Sequence, residues 1–381
     1  MSLKKIAVLL GLSSLLLLQG CSAGSSSNTA TEDSANSSDS KEDSSESSES
    51  ESNSSEDSSL SDSGEEESAS QEVFAMDTVM TVTAYGDNKD QAVEDAVTEI
   101  NRLDSLLSTG NESSEIAQIN ANGGGTLSED GAYLMKKSIQ LNQDTDELFD
   151  VAIYPLMQEW GFTSGNYKVP DDSTIQNLLT LTDASNIEYD ESTSTVSFKK
   201  EGMAIDFGGI AKGYTSSKIM DIYKEDGITS GLVNLGGNVQ VLGSKTDGSD
   251  WRVAIQSPDD SEDMLGVLSV SDCAVITSGG YERYFEEDGK TYHHIIDPRT
   301  GYPADSGLIS TTVISQDGTL ADGLSTSLFI MGKDKAIEFW REHSDEFQAV
   351  LCDENNTLWV TEGIADSFTS DYDIQVISLS E

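Results

Sequence analysis

Three short segments carry the residues whose types and spacing suit chemistry. The first, Asp206-Phe207-Gly208-Gly209-Ile210-Ala211-Lys212-Gly213-Tyr214, joins a carboxylate, a glycine pair and a lysine where a strand-like run gives way to a helix-like one. Glycines there let the backbone approach a ligand, the amides of a new helix can face anionic oxygens, and Lys212 adds a point charge. The segment is neither a Walker loop nor a dinucleotide fingerprint. Taken alone, it is equally well a packing turn with a solvated lysine. The second segment runs from His293 and His294 through Asp297-Pro298-Arg299-Thr300-Gly301 and holds two of the three histidines. His294 can take a hydroxyl proton near neutral pH, with the turn orienting it through Asp297, although paired histidines also serve packing or surface. The third places Asp322 and Thr326 four residues apart with Ser325 between them. On a helix that spacing puts a carboxylate and a hydroxyl on one face, hard oxygens suited to Mg²⁺, but a capping cluster at the helix start has the same pattern. No His/Cys cluster suggests zinc or iron. Asn234-Leu235-Gly236-Gly237-Asn238, between two strand-like runs, reads as a hairpin turn with a structural role. Together these features suggest enzymatic chemistry on a phosphorylated ligand.

The elements that must position them are mixed. Alternation predicts a strand over 74–85, and Ala92, Val93, Ala96, Val97, Ile100, Leu103 and Leu107 recur at helical spacing. Further helices are predicted over 131–144, 151–159, 210–223, 320–331 and 333–343. Strands are predicted over 195–198, 231–235, 239–242, 252–255, 266–270, 274–276, 308–314, 349–352 and 357–360. Asp288-Gly289 marks a hairpin between Tyr284-Phe285 and 291–294. The fold class expected is α+β with a largely antiparallel sheet and packed helices.

The N-terminus reads as an address. Lys4 and Lys5 precede an apolar run of about 13 residues, shorter than the roughly 20 that span a bilayer, and Leu18-Gln19-Gly20-Cys21 resembles a lipobox. Residues 1–20 are expected to be a signal peptide cleaved before an acylated Cys21, which would hold the protein at the extracytoplasmic face of the cell membrane. From 22 to 70 the chain is mostly Ser, Asp, Glu, Asn and Ala, with fourteen acids against Lys41 alone. It cannot bury enough apolar surface to offset the entropy of ordering, and its charges extend it as a tether. The folded domain is expected over 71–381. The total charge of −48, less the basic leader and a tether of −13, leaves −37 on that domain. Nucleic acid and anionic headgroups are repelled by such a surface, so an anionic ligand needs a locally built positive site. Cys273 and Cys352 lie in apolar strand-like runs and are expected to be buried free thiols.

Several further motifs join these in order: Met76-Asp77-Thr78, Leu107-Ser108-Thr109, Ser114-Glu115 with Asn120, Phe149-Asp150 through Pro155-Leu156 to Trp160-Gly161-Phe162, Val233-Asn234-Leu235-Gly236-Gly237, Trp251 to Gln256, Thr277-Ser278-Gly279-Gly280-Tyr281, and Ala321 to Thr326. The set, spread over about 73–360, resembles the ApbE family of FAD:protein FMN transferases. The resemblance implies a T-fold-related domain and a reaction that moves FMN from FAD onto a Thr or Ser hydroxyl of an exported flavoprotein, releasing AMP with Mg²⁺ required. It implies flavin contacts from Met76, Phe149, Asp150, Asp206, Lys212 and Ile296. Metal contacts are implied from the Gly209 carbonyl, Asp322, Ser325 and Thr326, and a role in transfer for His294. The acceptor would carry a Ser/Thr-Gly-Ala-Ser/Thr-like motif, absent from this chain. Two positions depart from the family pattern: Gly110, where many members place a flavin-stacking aromatic, and Ser217, where many place Asp. The competing functions are an FAD pyrophosphatase releasing FMN and AMP, and a non-catalytic flavin-binding lipoprotein.

Overall fold

The computed structural model describes residues 67–259 and 263–380. The signal peptide, Cys21 and nearly all of the expected tether lie outside the described residues. A nine-stranded sheet runs in the order Ser68–Ala75, Thr78–Tyr85, Ser230–Leu235, Asn238–Leu242, Ala274–Gly279, Leu308–Ser315, Gln348–Asp353, Leu358–Thr361 and Ile374–Ile377. Every neighbouring pair is antiparallel except the last, which is parallel.

Side-chain alternation explains how this sheet is covered. Ala274, Ile276, Val313, Ala349 and Leu351 face one core, while Val275, Ile314, Val350 and Cys352 face another. Successive side chains on a strand point to opposite faces, so each strand is apolar on both and needs two covers. Helices Gly318–Met331 and Lys333–Glu342 pack on the first face; Lys89–Leu107 and Ala211–Glu225 extend that layer over Met80, Val82 and Val233. A three-stranded sheet of Trp251–Gln256, Met264–Val270 and Phe368–Thr369 covers the second. Another small sheet, Gly124–Thr126, Thr195–Phe198 and Ile187–Asp190, packs with helices Glu115–Asn122 and Glu129–Asp144 beside the first core.

The expected α+β class holds, and the hairpin forms where Asp288 and Gly289 take φ of 51° and 78° between Tyr284–Glu287 and Lys290–His293. Some expectations need correction. The single strand over 74–85 is a hairpin, because Met76 and Asp77 turn the chain at φ 47° and 60° without glycine. The first strand begins at Ser68, ahead of the boundary expected at 71, paired with Tyr85. The helix over 151–159 is a 3₁₀ turn, Val151–Ile153, followed by Tyr154–Trp160. Both thiols are free and buried, and burial pushes each up to about 12.

Candidate active site

The approach to the Asp206 segment is fixed from two sides. Asn120 exchanges two 2.8 Å hydrogen bonds with the Ile205 backbone, and the Asp206 amide donates to the Val151 carbonyl at 2.9 Å. The second bond brings Asp206 beside Asp150, which caps the 3₁₀ turn by accepting from Ala152 at 2.8 Å and also accepts from Ala184 at 3.1 Å. Burial pushes the Asp150 carboxyl up to about 6 against those two amides. Burial also raises Asp206, with the Gly208 amide and the Arg283 charge opposing it. Gly209 sits close against the Phe149 ring: a Cβ there would lie 3.0 Å from it, so the ring would have to give way to any side chain. Met76 reaches this region from the first hairpin. Its amide donates to Asp104 at 2.9 Å, and its sulfur lies 3.9 Å from the Thr215 hydroxyl on the Ala211–Glu225 helix.

That helix meets Gly318–Met331 at Gly213. A Cβ there would collide with the Gly318 carbonyl and lie 2.6 Å from the Asp322 Cβ, so glycine is what lets the two helices touch. The contact places Asp322 under the start of the first helix, where its carboxylate accepts from the Gly213 amide at 2.8 Å and from the Asn238 side chain at 3.0 Å. This corrects the expectation for the helix start, since an amide expected to face a ligand's oxygens is already paired with a carboxylate. Asp322 is not a cap of its own helix either, because Asp317 accepts from Leu320 and fills that place. Burial raises Asp322, while the nearby Lys212 charge holds it down. Ser217, at one of the departures from the family pattern, accepts the Gly318 amide at 3.1 Å and adds a second tie between the helices. At the other departure, Gly110, a Cβ would meet only Ser108 Oγ at 3.9 Å, so the position is open.

The Asn234–Asn238 segment is the expected hairpin turn, with Gly236 and Gly237 at φ 65° and 99°, yet Asn238 also holds Asp322. Among the described residues no group of three or more His, Cys, Asp or Glu could hold a metal ion. What the Gly318–Met331 helix offers instead is the Asp322 carboxylate with the neutral Thr326 hydroxyl four residues on. Mg²⁺ is bound in this way, through one or two carboxylates, completing its octahedron with water and phosphate oxygens, so the donor set fits that ion.

His294 stands at the end of the Lys290–His293 strand. Its Nδ1 lies 3.2 Å from the Arg283 carbonyl. A carbonyl only accepts, so Nδ1 carries the proton and Nε2 is left with a free lone pair. Burial first, then the charges of Arg283 and Lys212 with His293 between them in weight, push the imidazole down to about 3, so it is neutral at pH 7. Asp297 does not orient it, contrary to expectation: its carboxylate is bound by the Arg299 side chain at 2.7 and 2.9 Å. Ile296 is buried, its side chain clustered with Leu156, Trp160, Phe162 and Ile175.

Residues outside the expected set complete the charge pattern. Glu282 is exposed at the edge of this group, and the protein packed about it raises its carboxyl, with Lys212 opposing and Asp322 adding. Arg283 donates to the Phe162 carbonyl at 2.7 Å and lies in the field of both Asp206 and His294. Both follow directly on the Thr277–Tyr281 motif, the one signal that pointed to them. Lys212 is electrostatically coupled to Glu282, Asp322 and His294, which ties the three segments into one site.

Comparison with known proteins gives a consistent picture. The ApbE family model matches residues 76–351. An FAD:protein FMN transferase of Klebsiella pneumoniae (strain 342) is 35% identical over 263 residues, covering 68% of this chain and 81% of that protein. One of Treponema pallidum (strain Nichols) is 32% identical over 268 residues, covering 66% and 74%. Among solved structures, the ApbE protein from Thermotoga maritima superposes with a TM-score of 0.73 at 32% identity, covering 78% of this chain and 98% of its own. The apo form of the Pseudomonas stutzeri flavinyl transferase ApbE gives 0.68 at 28% identity, covering 76% and 92%.

Proposed function

The chain belongs to the ApbE family, and on that premise we propose that it is an FAD:protein FMN transferase. The observation that carries this reading is the neutral His294 imidazole, its Nε2 lone pair free, in the field of Lys212, which also faces the buried Asp322. A hydroxyl oxygen of the acceptor attacks the FMN-side phosphorus of FAD while Nε2 takes its proton. The new P–O bond is the phosphoester. The bridging P–O bond breaks, and AMP leaves with the bridging oxygen. Lys212 offsets charge gathering on the pyrophosphate, and Asp206 with Asp150, Phe149 and Met76 lines the flavin side. Asp322, Thr326 and the Gly209 carbonyl would hold Mg²⁺, which stabilises charge on the phosphate oxygens. A bound dianionic pyrophosphate also offsets the Arg283 and Lys212 charges that, after burial, hold the imidazole's proton affinity low, making the base stronger when substrate is present.

Incubation with FAD, Mg²⁺ and an acceptor bearing a Ser/Thr-Gly-Ala-Ser/Thr-like motif, read by intact mass, tests the proposal. Gain of one FMN with AMP release is expected, and Asp322→Ala abolishes it; AMP with only free FMN marks a pyrophosphatase, and no AMP marks a binding protein. We further propose that Cys21 anchors the enzyme to the outer face of the cell membrane through lipid. Cys21→Ser is expected to move the protein to the soluble fraction with the purified enzyme still active; a wild-type protein without lipid by mass overturns this.

A further inference from the structure

The helix Gly318–Met331 offers two adjacent hydroxyls beside Asp322, and only one of them is free to face a ligand. Ser325 is fully buried and Thr326 half-buried. Across from both, on strand Ala274–Gly279, stands Ser278, with its hydroxyl 2.8 Å from that of Ser325 and 3.2 Å from that of Thr326. Ser325 also donates to the Asp322 main-chain carbonyl at 2.8 Å.

Counting protons fixes the direction of every bond in this group. A hydroxyl has one proton to give and two lone pairs to receive with, and a carbonyl can only receive. The Ser325 proton is therefore on the Asp322 carbonyl. The 2.8 Å contact between Ser278 and Ser325 then requires the Ser278 proton, and the 3.2 Å contact between Thr326 and Ser278 requires the Thr326 proton. The result is a one-way chain, Thr326 to Ser278 to Ser325 to the Asp322 carbonyl. Its outer end is a threonine oxygen whose proton is drawn back into the protein, with lone pairs left over. Its inner end is the main chain of the residue whose carboxylate is held by Gly213 and Asn238.

We propose that Ser278 is a positioning residue for the Mg²⁺ site: it turns the Thr326 hydroxyl into an oriented acceptor for the cation, and Ser325 is a link in the chain rather than a ligand. This rests on the assignment of Mg²⁺ to Asp322 and Thr326. Without Ser278 the Thr326 proton loses its acceptor, the hydroxyl rotates, and its proton competes with the cation for the same side of the oxygen. Partners that orient metal ligands typically change affinity by about 10–100-fold when removed.

The test is metal binding without turnover, by isothermal titration of Mg²⁺ and Mn²⁺ paramagnetic resonance on the FAD-bound protein. Ser278→Ala is expected to lower metal affinity by about 10–100-fold, to leave metal-free FAD affinity and melting temperature near wild type, and to recover in Ser278→Thr. Ser325→Ala is expected to cost less than Thr326→Ala, because Ser278 can still receive the Thr326 proton. Thr311 lies opposite Ser278 on the next strand, buried and with its hydroxyl unpartnered. Thr311→Val therefore disturbs the same spot without touching the chain, and it should bind metal like wild type. Wild-type affinity in Ser278→Ala, or equal losses in Ser325→Ala and Thr326→Ala, overturns the proposal while leaving the metal assignment standing. A wild-type protein that binds no metal with FAD present overturns both.

Discussion

At the scale of single residues the proposed reaction divides labour between groups that would hold the substrate and one that would move a proton. His294 keeps its Nδ1 proton on the Arg283 carbonyl, and burial, with cations nearby, holds the ring neutral. Its contribution therefore belongs to the step in which the acceptor hydroxyl is deprotonated, where a base adds about 10²–10⁴-fold. His294→Ala is expected to bind FAD like wild type, seen as an unchanged titration of flavin fluorescence, and to lose transfer by that factor. Asp206→Ala and Lys212→Ala are expected to weaken the titration itself, since in the proposed complex one would line the flavin side and the other would offset phosphate charge. Transfer by His294→Ala at the wild-type rate would place the base elsewhere. A base that is already neutral in the free enzyme has a further consequence for pH. The acid limb of kcat/KM should not follow an ordinary histidine, because the neutral form persists down to about 3.

At the scale of elements, some placements were legible in the sequence and others needed the third dimension. The longer elements announced themselves by period, as the helix expected over 333–343 forms at Lys333–Glu342, and the short strand over 195–198 agrees residue for residue. The Asp288-Gly289 hairpin did so because both residues suit positive φ. The first hairpin did not, since Met76 and Asp77 turn the chain without glycine and alternation runs straight across them. Helices Glu115–Asn122 and Asp172–Leu179 bury only two residues and one, too few to show a period. Asn238, Glu282 and Arg283 were hidden for another reason: their roles come from strands and helices remote in sequence converging on Lys212 and Asp322. Gly213 marks the most demanding of these convergences. Gly213→Ala would force its helix away from Gly318–Met331, costing about 1–3 kcal/mol as overpacking does and breaking the bond from its amide to Asp322. A urea melt should show the lower midpoint, and Mg²⁺ titration the lost affinity; a normal melt with normal Mg²⁺ binding would mean that the helices separate more easily than their contact suggests.

At the scale of the whole molecule, an acidic protein is asked to bind an anionic dinucleotide, and its buried carboxyls set how that depends on pH and metal. Asp150 rises from 3.8 to about 6, with Asp322 and Asp206 raised as well, burial being the leading cause in each, while the raised Glu282 is exposed and weighs less in stability because solvent screens it. A carboxyl raised by folding contributes stability that is complete below its unfolded value and lost as pH climbs through the folded one. Carboxyls lowered by their partners, such as Asp130, where bonds from Arg102 and Tyr214 outweigh burial, act in the other direction, their contribution being lost only as pH falls below the ordinary range. Between about pH 4 and 7 the raised set therefore dominates, and repulsion within a domain of net charge −37 adds to it. The metal-free domain is expected to lose melting temperature steadily across that window. Mg²⁺ at the proposed site should reverse part of the loss, because that site exists in the folded form alone and would need Asp322 ionised; at a hundredfold excess over its Kd the gain is about 2.7 kcal/mol. The increment from Mg²⁺ should thus shrink as pH falls and protons compete for the raised Asp322 carboxyl, and grow as pH rises. Melting curves with and without Mg²⁺ across that range, on wild type and Asp322→Ala, would measure it. An increment that does not change with pH, or one that survives in Asp322→Ala, would place the cation on carboxylates other than the one under the Gly213 amide.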